Sequence, residues 1–496
     1  MKLCPYWLFL LSDFTRISVT KSKEKILIQL FEDWAGVKAL KFSPLPESGS
    51  YREYYRISGP GKVAIGAYNS DKKENRAFLG FSKCFFNLGL PVPEIYAADE
   101  EKKIYLEQDL GNITLYAWLT EVRKQSGFTG ELTGIYKKVI EELIRFQVPG
   151  GKGIDYKLCY PRADFDKQSM LWDMHYFKYY FLKLAKIPFD EQNLEDDFQR
   201  LADFLLEAGC NYFLYRDFQS RNVMLLKGKP YFIDYQGGRK GALQYDLASL
   251  LYDGKADIPE SVREELLDYY IQEINKIVGV EPDTFRRYYY GYVFIRIMQA
   301  LGAYGFRGFY ERKDHFLRSI PYAIKNLDYL LQSRDLPLKT DALKDAFHLL
   351  IRSEKLLNIA RTSKKLTVCV NSFSYQRGIP VDVTGHGGGF VFDCRAINNP
   401  GRQEKFQHLT GMDKEVREFL DQEEEMTGFL ENTMKLVDQT VKKYKERNFA
   451  SLMVSYGCTG GQHRSVYAAE RMAEHLKEKY DINVKIQHHE QEFFIS

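Results

Sequence analysis

Three residues stand at the spacing that phosphoryl transfer would use. In Tyr215-Arg216-Asp217-Phe218-Gln219-Ser220-Arg221-Asn222, followed by Ile233-Asp234-Tyr235, an aspartate precedes an asparagine by five positions and a second aspartate lies twelve further on. The apolar run Val223–Leu226 separates the last two. Moving a phosphoryl group asks for little covalent chemistry from a protein. The acceptor hydroxyl must be oriented, and the phosphate charge must be neutralised by metal ions. Asp217 fits the first task as a catalytic base. Asn222 and Asp234 fit the second, as oxygen donors to Mg²⁺. The competing reading is a polar turn with a capped strand end; the hairpin pattern around it favours the chemical one.

A second chemical signal is Gly457-Cys458-Thr459-Gly460-Gly461-Gln462-His463-Arg464-Ser465, between a strand-like and a helix-like stretch. Glycines let successive backbone N–H groups converge on an anion, and the start of a helix adds a favourable dipole. Cys458, Thr459, Gly460, Gly461, His463, Arg464 and Ser465 form the expected site, with Arg464 gripping two phosphate oxygens. Cys458 and Arg464 also satisfy C-x5-R, so a cysteine phosphatase is a rival, although no general-acid loop stands out. His463, His488 and His489 suit phosphate or RNA contact. As metal ligands they lack a third partner at sensible spacing.

The elements that must carry these loops read as follows. Residues 24–110 are mixed α/β, with a helix at about 24–36, strands at 51–57, 62–68 and 104–107, and a helix bearing Phe78, Phe81, Phe85 and Leu88. Residues 114–330 are mainly helical except near 212–236. Leu343, Phe347, Leu350 and Leu357 recur at helical spacing within a 333–365 junction, expected to be a helical linker. Residues 366–496 alternate strands at 366–370, 390–393, 451–456 and 482–487 with a long helix at 413–447 and another at 464–479, an order that predicts a parallel sheet. The chain has 496 residues, a net charge of +3, 45% hydrophobic and 15% aromatic residues. That charge is too small to argue for nucleic acid. The seven cysteines form no C-x-x-C pair, which fits a reducing compartment. Leu3–Leu11 is too short to span a bilayer, so residues 1–23 read as an N-terminal extension and the protein as cytoplasmic, without membrane contact.

Further stretches carry a resemblance. Ser48-Gly49-Ser50-Tyr51-Arg52-Glu53-Tyr54-Tyr55-Arg56, Val92-Pro93-Glu94, Leu106-Glu107-Gln108-Asp109-Leu110-Gly111, Arg145-Phe146-Gln147, Tyr245–Leu250 and Gln299-Ala300-Leu301-Gly302 resemble the aminoglycoside phosphotransferase family. Within it they look most like the anomeric kinases of N-acetylmuramate and N-acetylglucosamine. The resemblance implies an α+β, protein-kinase-like two-lobed fold over 24–332 and an ATP-dependent sugar kinase. Ser48, Gly49, Ser50 and Tyr51 would cover the phosphates, and Glu107, Asp109 and Leu110 would lie at the hinge beside adenine. Residues 366–496 resemble the C-terminal domain of the RNase adapter RapZ through Ser372–Pro380, Phe392–Arg395, Asn399-Pro400, Gly411–Lys414 and 457–466. That implies a separate α/β domain binding a sugar phosphate as effector, with RNA as a further partner.

Departures are visible as well. Tyr215 replaces a customary histidine, and Gly237-Gly238 stand where sugar kinases often carry an acid. The strand 62–68 has no central lysine, leaving Lys62 as a weak substitute and Glu74 without an evident partner. The aromatic run Tyr288–Tyr292 reads as core or as a sugar-stacking surface. Acceptor alternatives are an aminoglycoside or a choline-like alcohol, and a different class is an RNA-binding regulatory adapter.

Overall fold

The structure, a computed structural model, describes residues 23–46, 52–334, 338–359, 365–380, 388–447 and 449–490. The chain divides into two compact units at Leu357/Asn358.

The first unit begins with helix α1 (23–35) on one face of an antiparallel sheet of order β1-β2-β3-β5-β4. The strands are β1 (Lys41–Pro44), β2 (Glu53–Gly59), β3 (Lys62–Tyr68), β4 (Ile95–Asp99) and β5 (Ile104–Glu107). Alternation along a strand sends successive side chains to opposite faces. Tyr55, Ile57, Ala64, Ile104 and Leu106 therefore meet Leu27 and Phe31 of α1 in one apolar cluster. The other face carries Tyr54 and Tyr105, both opposite Ala67, and Glu107, opposite Ile65. Helix α2 (Lys72–Asn87) is capped by Asp71, whose side chain accepts from the N–H groups of Lys73 and Glu74. It buries Phe78, Phe81 and Phe85, the stripe that helical spacing demands. Strands β1 and β4 escaped the sequence reading: one is short, and the other follows the Pro91/Pro93 turn with little β-branched character.

The remainder of this unit is helical: α3 (Leu115–Ser126), α4 (Gly130–Arg145), α5 (Lys167–Phe177), α6 (Glu191–Leu206), α7 (Gln244–Leu251), α8 (Glu260–Asn275), α9 (Pro282–Tyr304), α10 (Ile320–Ser333) and α11 (Asp341–Ile351). Two small antiparallel pairs interrupt it, β6 (Tyr212–Leu214) with β9 (Arg239–Gly241) and β7 (Val223–Leu226) with β8 (Lys229–Phe232). Tyr288, Tyr289, Tyr290 and Tyr292 are buried, so this aromatic run is core. Helix α11, inside the expected linker, packs into this unit. Its Leu343, Phe347 and Leu350 are buried, Phe347 stacks on Phe294 at 5.7 Å, and the Leu343 N–H donates to Asp197 Oδ2 at 2.9 Å.

The second unit is built on a four-stranded parallel sheet, order β11-β12-β10-β13. Its strands are β10 (Thr367–Ser374), β11 (Gly389–Asp393), β12 (Ser451–Cys458) and β13 (Asn483–His488). The single long helix expected at 413–447 is instead two, α12 (Lys414–Asp421) and α13 (Glu424–Glu446). Glu423 is extended at the break, so that Val416 and Leu420 of one helix and Met426 and Val437 of the other can all reach the core. Helix α14 (Arg464–Lys479) follows β12. Among the described residues no helix is long and apolar enough to cross a membrane.

Candidate functional site

Asp217 lies just past β6, and Asn222 and Asp234 close the loop around it. The Asn222 amide donates from Nδ2 to the Asp217 backbone oxygen at 2.9 Å and to Asp234 Oδ2 at 3.3 Å. The Ile233 N–H donates to the Asn222 oxygen at 3.1 Å, which ties the two ends of the β7–β8 hairpin together. Because the nitrogen of Asn222 is committed to two acceptors, its amide oxygen is the atom left to face a cation. Burial, and then the neighbouring Asp217 carboxylate, push the Asp234 carboxyl above its usual range. A divalent cation would offset this crowding, and Asn222 and Asp234 are the oxygen donors that could hold Mg²⁺.

The backbone here is held away from ordinary geometry. Arg216 has φ +85° and Asp234 has φ +71°, in the left-handed region that side chains seldom enter. The buried Asp246 carboxylate on α7 accepts the N–H groups of Tyr215 at 2.7 Å and Arg216 at 3.0 Å. The Arg216 guanidinium then forks onto Asp173 of α5 at 2.7 and 2.6 Å and touches the Tyr245 hydroxyl. Tyr215, in the place of the customary histidine, donates its hydroxyl to the Ile233 oxygen at 2.6 Å, so it braces the strand that leads to Asp234. Tyr235 bonds Ser82 of α2 at 2.6 Å and stacks on Phe78 at 5.1 Å. A Cβ on Gly238 would come within 2.3 Å of Phe213, so a side chain is excluded there, whereas a Cβ on Gly237 would meet nothing closer than Arg216 Cγ at 3.6 Å.

Across from this loop, the inward face of the sheet carries Glu107. Burial lifts its carboxyl to about 8, opposed by the positive charge of Arg52. Asp109 forks with Arg56 at 2.6 and 2.9 Å and accepts the Gly111 N–H at 2.9 Å, fixing the turn after β5; Leu110 is buried. Asp109 is thus engaged by Arg56 and the Gly111 N–H, whereas Glu107 Oε2 is buried without a hydrogen-bond partner, and the backbone of the turn is what an adenine could address. Glu74 does have a cationic partner: Arg52 Nη2 donates to its Oε1 at 3.0 Å. Lys62 lies opposite Gly59 at the β2–β3 turn with its ammonium 5.4 Å from the Trp34 ring, so it does not serve as the cleft cation. Ser48, Gly49, Ser50 and Tyr51 lie outside the described residues.

In the second unit, the loop from Cys458 to Ser465 joins β12 to α14. Gly461 has φ +68°, and a Cβ there would meet Glu490 Cγ at 2.3 Å and the Ser374 nitrogen at 2.9 Å. Ser374 donates its hydroxyl to the Thr459 oxygen at 2.6 Å, and Cys458 Sγ lies 3.2 Å from Ser465 Oγ. Thr459 and Gly460 are exposed at the tip. The expected double grip of Arg464 on an anion meets a competing use: Nη1 of the buried side chain donates to the carbonyl oxygens of Arg395 at 3.0 Å and Ile397 at 2.7 Å. His463 is buried with Nε2 2.8 Å from the Phe406 oxygen, so it packs into the protein.

Residues 41–281 match the phosphotransferase enzyme family, and residues 366–492 match the RapZ C-terminal domain. The chain joins a phosphotransferase-family domain to a RapZ C-terminal domain. Curated relatives include proteins called "Nucleotide-binding protein" from Hahella chejuensis (strain KCTC 2396) and Xylella fastidiosa (strain 9a5c). The first is 35% identical over 136 residues, 27% of this chain and 46% of that protein. The second is 37% identical over 117 residues, 24% of this chain and 39% of that protein. The chain thus spans less than half the length of these relatives. Similar solved structures include the choline kinase LicA from Streptococcus pneumoniae, at 17% identity and TM-score 0.42, covering 62% of this chain and 99% of that one. A choline kinase from Cryptosporidium parvum Iowa II has 13% identity and TM-score 0.43, covering 62% and 96%.

In the phosphotransferase domain, sequence reasoning did not single out Asp173, Asp246 or the Arg52–Glu74 pair. Asp246 belongs to Tyr245–Leu250, a stretch that carries the family resemblance, but no local pattern shows which backbone it clamps. In the RapZ C-terminal domain the βα placement of the loop was legible, whereas the partners of Arg464 and His463 come from distant segments.

Proposed function

We propose that the phosphotransferase domain moves the γ-phosphate of ATP to a hydroxyl of a small sugar. Carrying this reading is the convergence of Asp217, Asn222 and Asp234 on one strained, clamped loop. Asp217 orients the acceptor hydroxyl and takes its proton. Asn222 and Asp234 hold Mg²⁺, which when bound neutralises the charge of the phosphates. The Asp246 clamp and the Arg216–Asp173 fork keep Asp217 from drifting, and small misplacements there cost rate steeply. The Asp217 carboxylate helps hold the Arg216 and Arg296 guanidinium groups charged, and Arg221 favours the charged form of Asp234. Resemblance in residues 48–56 and 299–302 narrows the acceptor to N-acetylglucosamine or N-acetylmuramate, phosphorylated at the anomeric hydroxyl. A coupled ADP-release assay across amino sugars, an aminoglycoside and choline, with phosphorus NMR of the product, tests this. An anomeric phosphate is expected; a 6-phosphate, or turnover of cationic acceptors alone, overturns it.

For the RapZ C-terminal domain the reading is a sugar-phosphate effector site at the exposed tip of the loop 458–465. What supports it is the glycine-shaped turn at the start of α14, where backbone N–H groups and the helix dipole favour an anion. Cys458→Ser in the full chain should then bind glucosamine-6-phosphate as the wild type does. Release of phosphate from an aryl phosphate, lost in that variant, would make the loop a phosphatase site. A salt-dependent RNA shift would bring back the adapter reading.

A further inference from the structure

Three cations gather beside the loop that carries Asp217. Arg221 stands in the 3-10 turn Ser220–Asn222. The Gln219 N–H donates to the Asp217 oxygen and the Asn222 N–H to the Gln219 oxygen, both at 2.9 Å, so the Arg221 side chain leaves the backbone within one turn of the candidate base. Asp253, just past α7, accepts from the Ser220 N–H at 3.2 Å and from the Ser220 hydroxyl. That contact draws the turn Gly254–Ala256 against the loop. Lys255 of this turn donates to the His315 oxygen at 3.0 Å. Ser319 Oγ donates to the same oxygen at 3.3 Å, which brings the segment bearing Arg318 to the same corner.

These charges are largely unspent. Arg221 and Arg318 are exposed, and among the described residues neither side chain makes a hydrogen bond or an ion pair. Lys255 is half-buried, and its ammonium meets a carbonyl oxygen where a buried charge would ordinarily find a carboxylate. Burial, and then Arg221, hold that ammonium below its usual range; Arg318 adds to the effect and Asp253 opposes it. Asp253 is itself engaged by Ser220, and Asp257 pairs with Lys325 at 2.9 Å. A corner with three like charges and one engaged carboxylate gains from an outside anion.

We propose that Arg221, Lys255 and Arg318 form an anion-binding subsite for the phosphoryl acceptor, so that the enzyme selects sugars bearing a carboxylate or a phosphate ester. The inference rests on the sugar-kinase reading above. The position suits the acceptor better than ATP. All three side chains arise from the catalytic turn and from helical segments, whereas the proposed nucleotide site lies along the sheet and the turn after β5. Two guanidinium forks match the oxygens of either anion, and an anionic substituent held there leaves the rest of the ring to reach Asp217.

The test uses the full chain and a coupled ADP-release assay with three acceptors: uncharged N-acetylglucosamine, N-acetylmuramate with its carboxylate, and N-acetylglucosamine 6-phosphate. The wild type should show a kcat/KM about tenfold or more higher for an anionic acceptor than for the neutral one, and the better of the two separates carboxylate from phosphate. Arg318→Glu and Lys255→Met should each lower that preference about tenfold or more through acceptor KM, while KM for ATP stays within about threefold. Arg318→Glu changes an exposed position, so its outcome does not depend on the packing around Lys255. A wild type that prefers the neutral sugar overturns the proposal, as do variants with unchanged preference or with an equal loss on all three acceptors. A raised KM for ATP at unchanged acceptor preference also overturns it and gives the cations to the nucleotide. Turnover of cationic acceptors alone, or of none, would instead remove the sugar-kinase reading itself.

Discussion

Arg216 and Asp234 hold positive φ angles on either side of the candidate base, a cost of about 1–3 kcal/mol each that surrounding bonds must offset. The Asp246 carboxylate and the Asp173 fork supply those bonds. This geometry places Asp217 without asking it to stabilise the loop, because its side chain is half-buried and its neighbours do the anchoring. Asp217→Asn should therefore keep the fold and MgATP binding and lose about 10²-fold or more in turnover, read as kcat beside a binding titration. Glu107 gives a pH signature. Burial lifts its carboxyl to about 8, so the folded state holds that proton more tightly than the unfolded chain. The associated stability is full below the unfolded glutamate value of about 4.3 and is lost as pH rises through about 8. Glu107→Gln removes the ionisation. Melting curves should show the variant gaining on the wild type between about pH 5 and about pH 9; parallel curves would contradict the buried carboxyl.

Between elements, the close crossing of α5 and α9 holds the far side of the site. A Cβ on Gly302 would lie 2.8 Å from the Tyr176 ring and 3.0 Å from the Phe177 nitrogen. The backbone atom cannot move aside as a flexible side chain would. Arg296 and Gln299 project from the same stretch of α9, and Arg296 Nη1 reaches the Tyr245 hydroxyl at 3.1 Å and Gln299 Oε1 at 2.8 Å. Gly302→Val should push the helices apart, destabilise the domain by about 1–3 kcal/mol and disturb the network behind Asp217. Denaturant unfolding and acceptor KM together check this. A variant with wild-type stability and KM would show that the crossing tolerates bulk. Helix α2 links both walls of the cleft in the same way, through Glu74 to Arg52 and Ser82 to Tyr235.

For the whole molecule, the division at Leu357/Asn358 places α11 with the phosphotransferase domain. Phe347 is 1% exposed and stacks on Phe294, while Leu343 and Leu350 are fully buried. A fragment ending at residue 357 should thus melt higher than one ending at residue 333, which leaves those contacts on α9 and α6 exposed. Within the full chain, Phe347→Ala should cost about 3–5 kcal/mol. Thermal melts of these proteins decide the boundary; equal melting temperatures for the two fragments would return α11 to a linker.

The spacing of Asp217, Asn222 and Asp234, the strands flanking them, the stripe of α2 and the βα order around the loop 458–465 were all legible in the sequence. They are local: periodicity and turn chemistry act over a few residues and report which side chains share a face. Tertiary structure alone decided the pairings across longer separations. Arg52 meets Glu74 across 22 positions, Tyr215 meets Asp246 across 31, and Arg216 meets Asp173 across 43. The raised carboxyl of Glu107 likewise needs the sheet closed over α2, because desolvation is a property of the packed core. Arg464 reads as an anion ligand from its place at the start of a helix, and the carbonyls of Arg395 and Ile397 claim part of it. A sequence names the donors; packing of distant elements chooses the acceptors they satisfy, since most buried polar groups find a partner within reach.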